Sequence, residues 1–204
     1  MVRFAAIFLL SGALAVTASQ ATASRAAAAV RDCPYAAPPY PEGPKPAMFG
    51  TLTIDSIGLR TPIFRGSWPD MSTEASKSLM YGPALYSQTQ MGWPNSWPGQ
   101  GGTVGIAGHR TTRTHPFCLA AQIGNGVLAR IKTSYGTFVY RAIANFVLPG
   151  NDDAAFKHPA RYDPHPKLWT RGVKPEYLVL GACDPPHSAL RRINVILKLV
   201  GEYA

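Results

Sequence analysis

The chain is predicted to be all-β, a mostly antiparallel barrel or sandwich of about seven or eight short strands with short helices and long loops. Two observations predict it. Apolar and polar residues alternate over several short runs between residues 51 and 200, the two-residue period of strands with one face buried. Between those runs lie two long stretches rich in Gly, Pro and aromatic residues, with little of the 3.6-residue period that a helix needs.

The elements follow in order. Residues 1–31 open with Arg3 and an apolar run over 4–18, a charged n-region and an h-region. The run is short for a membrane span, but alanines continue it towards Val30. Both a signal peptide, with small residues Ala18, Ala21 and Ala23 for cleavage, and an uncleaved membrane anchor fit this segment. Residues 32–49 carry Pro34, Pro38, Pro39, Pro41, Pro44 and Pro46, which favour an extended linker or wrapped arm. The folded domain is expected over 50–204. Residues 51–55 and 59–64 read as its first strands, 68–102 as a packed loop with a short helix over 72–80, and 103–107 as an apolar strand. A short helix is expected over 116–123, with Pro116 at its start. Residues 127–132 and 137–147 form a hairpin signal around Ser134-Tyr135-Gly136. An irregular stretch, 151–176, precedes two closing strands at 177–182 and 192–200.

Composition narrows the classes of function. With 20 Lys and Arg against 11 Asp and Glu the net charge is +9, which suits an anionic surface such as wall polymer or lipid headgroups. The basic residues are scattered and an export segment precedes them, so nucleic acid is not an expected partner. No CxxC or HxxxH spacing suggests a metal site, no glycine loop suggests a nucleotide, and no cofactor is expected. Three cysteines, Cys33, Cys118 and Cys183, allow one disulfide and one free thiol in an oxidising compartment. If Cys183 is the reactive thiol, Cys33 and Cys118 are left to pair.

The chemistry-bearing residues are His109 after the apolar run 103–107, Cys183 at the end of the run 177–182, and Arg191-Arg192 at the head of the last strand. A cysteine needs only a positioned cation or base to serve in acyl transfer. A histidine can protonate an amine leaving group, and a guanidinium can stabilise the oxyanion. His115 and His187 compete with His109 for the acid role, and only one of Arg191 and Arg192 can face the cysteine in a strand.

These residues resemble the sortases, in particular their class E group. Gly108-His109-Arg110-Thr111-Thr112 with Pro116-Phe117 is similar to the histidine signature of that group. The stretch 179–185 and then 188–195, Ser188-Ala189-Leu190-Arg191-Arg192-Ile193-Asn194-Val195, resembles its cysteine strand, connecting loop and arginine strand. Residues 51–64 and 82–86 resemble the first strands and the segment before the histidine strand. The likeness covers about 50–200.

The resemblance implies a closed sortase-type β-barrel. It also implies Cys183 as nucleophile, His109 as general acid and Arg192 as oxyanion and substrate clamp, with Thr111, Ala182 and Ser188 at the substrate groove. The implied reaction cleaves an LPXTG- or LAXTG-type sorting signal between Thr and Gly. The acyl group passes through a cysteine thioester to an amine of a peptidoglycan precursor or a pilin. The implied partners are secreted surface proteins with a C-terminal sorting signal, met outside the cytoplasmic membrane at its outer face or in the wall.

Two departures stand out. Ala182 replaces the threonine that usually precedes the cysteine and would take a hydroxyl from the groove. Arg113-Thr114-His115 stands where Tyr-Gly is common. An alternative of another class is a sortase-fold binding or scaffold protein with little turnover, to which Ala182 would point. An L,D-transpeptidase-like cross-linker also uses Cys and His, but places its arginine much nearer the cysteine.

Overall fold

The computed structural model describes residues 47–66, 84–86, 96–111 and 115–203. The signal or anchor expected over 1–31 and the short helix expected over 72–80 lie outside the described residues, as does most of the linker. Among the described residues no helix is long and apolar enough to cross a membrane.

Among the described residues eight strands close into a barrel: β1 (Met48–Ile54), β2 (Leu59–Gly66), β3 (Ala84–Tyr86), β4 (Gly102–Ala107), β5 (Leu128–Thr133), β6 (Thr137–Pro149), β7 (Glu176–Asp184) and β8 (Arg191–Tyr203), in the order β1-β2-β3-β4-β7-β8-β6-β5. The all-β prediction and the strand count hold. Two seams, β2 with β3 and β4 with β7, are parallel, and the others are antiparallel. The alternation read in the sequence becomes two faces. Along β7, Leu178, Leu180 and Ala182 belong to the barrel core with Ile106, Ile131, Val195 and Leu197. Tyr177 and Val179 face outwards into a second apolar cluster with Phe156 and Ile196.

Three local expectations change. β3 falls in the stretch expected to be loop, because three residues are too few to display a period. The helix expected over 116–123 is a set of turns followed by a 3₁₀ turn at Ala120–Gln122. So short a segment cannot offset the cost of helix nucleation, and Phe117 is instead drawn fully into the core while its N–H bonds the His109 carbonyl at 3.1 Å. The stretch 151–176 contains a one-turn helix, α1 (Ala154–Lys157), and a 3₁₀ turn at Pro159–Tyr162.

Two buried acids tie loops to the barrel. Glu176, fully buried, accepts from Gly99 N–H at 3.1 Å, Gly101 N–H at 2.7 Å and the Tyr140 hydroxyl at 2.6 Å. Burial pushes its carboxyl above the usual range despite these donors. The second acid, Asp163, belongs to the loop beside the candidate site.

Candidate active site

β7 carries Cys183 as its penultimate residue and β8 carries Arg192 as its second. The antiparallel register pairs Cys183 with Arg192 and Asp184 with Arg191. Directly opposed residues share a face of the sheet, so Cys183 and Arg192 are neighbours on one face. Asp184 and Arg191 share the other and form an ion pair at 3.0 Å. Cys183 is a free thiol and half-buried, as is Arg192. Cys118 is disulfide-bonded; its expected partner, Cys33, lies outside the described residues.

His109 reaches the same end of the barrel from β4. The parallel register runs from Gly102 and Glu176 to Ala107 and Gly181, and Gly108 N–H donates to the Gly181 carbonyl at 3.0 Å. Two further residues on each chain bring position 109 level with position 183. Gly108 lets the turn that carries Phe117 pack against this end of the strand: a Cβ there would lie 2.8 Å from the Phe117 ring. His109 is half-buried. Of its rivals, His187 is exposed in the β7–β8 loop and His115 opens the turn before Phe117, so only His109 directly extends the strand beside β7.

The remaining expected residues divide. Thr111 Oγ1 accepts from His187 N–H at 3.2 Å and Ser188 Oγ from Leu190 N–H at 3.2 Å, so both hydroxyls engage the backbone of the loop that rims the site. Ala182 is a correction. It is 4% exposed, pairs with Ile193 and belongs to the barrel core. Strand alternation turns its methyl away from Cys183, and the missing hydroxyl is missing from core packing, not from a groove.

The loop 150–175 forms a wall over the outer face of β7. Phe156 of α1 sits on Gly181, where a Cβ would lie 2.7 Å from its Cζ. A buried latch holds the far half of this wall. Lys198 of β8 meets Asp163 Oδ2 at 2.7 Å, donates to the carbonyls of His165 at 2.8 Å and Leu168 at 2.5 Å, and lies 4.3 Å from the Trp169 ring centroid. Asp163 also accepts from the Tyr177 hydroxyl at 2.8 Å and the His165 N–H at 2.8 Å. Burial pushes the Asp163 carboxyl up, but Lys198, His165 and Tyr177 outweigh it and hold the group below the usual range. Burial, with the Asp163 contact behind it, pushes the Tyr177 hydroxyl well above its ordinary value.

Sequence reading missed two residues at the centre of the site, Arg110 and Asp184. Arg110 Nη1 meets Asp184 Oδ1 at 2.5 Å with both side chains 13% exposed. The available signal was the opposite charge of the residues that immediately follow His109 and Cys183. Among the described residues no group of three or more His, Cys, Asp or Glu is placed to hold a metal.

Cys183, Arg192 and His109 stand at the ends of neighbouring strands of the barrel, and a thiol, an imidazole and a guanidinium are the groups that cysteine acyl transfer uses. The sortase-domain family model matches residues 52–200, and the chain belongs to the sortase family, whose members are cysteine transpeptidases. Within that family it is class E-like. Sortase E1 from Streptomyces coelicolor, solved with a tripeptide in its active site, is 25% identical over 78% of this chain and 93% of its own, with a TM-score of 0.60. A mutant sortase E from Streptomyces avermitilis is 21% identical over 78% and 92%, TM-score 0.56. The SrtF sortase from Corynebacterium diphtheriae is 18% identical over 81% and 92%, TM-score 0.57. The last two likenesses speak for the fold. No curated protein matches the chain.

Proposed function

We propose that the chain is a transpeptidase that cleaves an LPXTG- or LAXTG-type sorting signal between Thr and Gly and joins the new carboxyl end to an amine. The observation that carries the reading is the β7–β8 register that opposes Cys183 to Arg192, with His109 extending the adjacent strand. Cys183 Sγ attacks the threonine carbonyl carbon, and the Arg192 guanidinium stabilises the oxyanion that develops. The C–N bond then breaks, and His109 protonates the departing glycine amine. An acceptor amine, from a peptidoglycan precursor or a pilin lysine, attacks the thioester, gives up a proton and releases the thiol. The substrates are secreted surface proteins, and the site of action is the outer face of the membrane or the wall, with residues 1–31 as export signal or anchor. Among this chain's near solved structures, the Streptomyces coelicolor enzyme with a tripeptide in its active site supports a peptide as the ligand.

The test is intact-mass analysis of the protein after incubation with LAXTG and LPXTG peptides and an amine acceptor, beside Cys183→Ala. A thioester or amide product that disappears in Cys183→Ala is the expected result. Peptide bound without product would favour the scaffold alternative, and product from Cys183→Ala would refute the thiol mechanism.

A further inference from the structure

We infer that Asp184 and Arg110 are positioning residues that hold His109 and Cys183 at a fixed separation, through an ion pair that takes over where the backbone ladder between their strands stops. The inference rests on the transpeptidase reading above.

The paired register of β4 and β7 ends at Ala107 and Gly181, and one further bond joins Gly108 N–H to the Gly181 carbonyl. His109 and Cys183 both lie beyond that bond. Backbone hydrogen bonds are what normally set the spacing of neighbouring strands, and here they stop short of both reactive residues. The next residue on each chain supplies a link. Arg110 Nη1 donates to Asp184 Oδ1, and Asp184 Oδ2 forms an ion pair with Arg191 Nη2 at 3.0 Å. One carboxylate thus joins the residue after His109, the residue after Cys183 and the residue before Arg192. In β7 and β8 it does so from the face opposite to Cys183 and Arg192, leaving the reactive face open. The Thr111 bond to His187 N–H ties the same two segments one step further on.

Stability does not account for the arrangement. Arg110 Nε is buried without a hydrogen-bond partner among the described residues, an arrangement that costs free energy. Apolar residues in place of a buried ion pair are often neutral or stabilising. What the pair does supply is a short, directional contact between two segments 74 residues apart in sequence.

The test compares Asp184→Asn, Arg110→Gln and Arg110→Lys in the full chain by three measurements. These are kcat and KM for peptide transfer, the pH profile of Cys183 alkylation by iodoacetamide, and the yield of a Cys183–His109 cross-link with 1,3-dibromoacetone. In the cross-link a thiol S–C bond and an imidazole N–C bond form as two bromides leave with two protons, which requires the two side chains to be adjacent. Asp184→Asn removes a negative charge and Arg110→Gln a positive one, so a purely electrostatic role would move activity in opposite directions in the two variants. Positioning predicts that kcat nevertheless falls in both by about 100-fold, the effect of a ~1 Å misplacement, with KM changed less than about threefold. Arg110→Lys keeps the charge and stays informative if the other variants fail to fold. It should leave the alkylation profile in place while kcat and cross-link yield fall about tenfold, because lysine cannot reproduce the guanidinium fork. If kcat follows the alkylation profile, or Arg110→Lys cross-links and turns over like the wild type, the proposal is overturned. A wild type that cross-links yet transfers no peptide would refute the transpeptidase reading instead. The positioning role would then be decided by the cross-link yields alone, equal yields overturning it.

Discussion

Lys198→Met removes the ammonium that pins the wall over β7 and leaves Asp163 behind it. The Lys198 side chain is 10% exposed and that of Asp163 only 1%, so solvent does little to screen the loss. Two loop carbonyls, His165 and Leu168, lose their donor as well. Breaking such a buried pair from one side costs about 3–5 kcal/mol. The strain can be relieved by release of the loop without global unfolding, and Arg161, Lys167 and Arg171 are exposed along it. Limited trypsinolysis therefore reads the latch directly. Where reclosing outpaces cleavage, the rate follows the open population, and cutting at those three sites should accelerate by roughly two to three and a half orders of magnitude.

The pH dependence has a definite sign. In the wild type the Asp163 carboxyl is held below its ordinary value. Its contribution is complete above the unfolded-state Asp value of about 3.9 and is lost as pH falls through the folded value. In Lys198→Met the lowering by the ammonium is gone while burial remains, so the carboxyl rises relative to the wild type, and less of its stabilising contribution survives even with the His165 and Tyr177 bonds in place. The gap between the two proteins should be widest near neutral pH and narrow on acidification. Lys198→Met combined with Asp163→Asn removes both charges and should recover more than half of the loss. Cleavage unchanged in Lys198→Met, or a gap that does not vary with pH, would refute the latch.

Three further outcomes are expected. Gly181→Ala drives a Cβ to 2.7 Å from Phe156 Cζ and should cost about 1–3 kcal/mol, read as a fall in Tm that Phe156→Leu partly reverses. Ala182→Thr places a hydroxyl in the barrel core and should lower Tm without changing which sorting peptide is preferred; altered preference at unchanged Tm would return this residue to the groove. Arg192→Ala should reduce kcat for peptide transfer by about 100-fold or more, whereas Arg191→Ala, whose side chain is 57% exposed, should cost less than about tenfold. The reverse order would mean that Arg191 faces the thiol.

Much of the fold was legible because strand formation leaves a local mark. The alternation in 51–55, 127–132 and 177–182 is a property of neighbouring residues, and each run became a strand within a few residues of its expected ends. β3 left no such mark, since its three residues are recruited by Phe64, Arg65 and Gly66 of β2 and by Ile106 and Ala107 of β4. The candidate residues were legible because His109, Cys183 and Arg192 sit at the ends of these runs. The side chain of Ala182 was misassigned because sequence order puts it beside Cys183, whereas the pleat puts the two on opposite faces.

By itself, then, the sequence determined which segments extend, which residue types carry the chemistry and which family they resemble. The tertiary structure alone decided that β4 and β7 run in parallel, that Arg192 opposes Cys183, and that Arg110 meets Asp184 and Lys198 meets Asp163. The physical reason is separation along the chain. Periodicity is a short-range signal, whereas contacts such as Arg110 to Asp184, 74 residues apart, exist only once the barrel has closed and brought strand ends together.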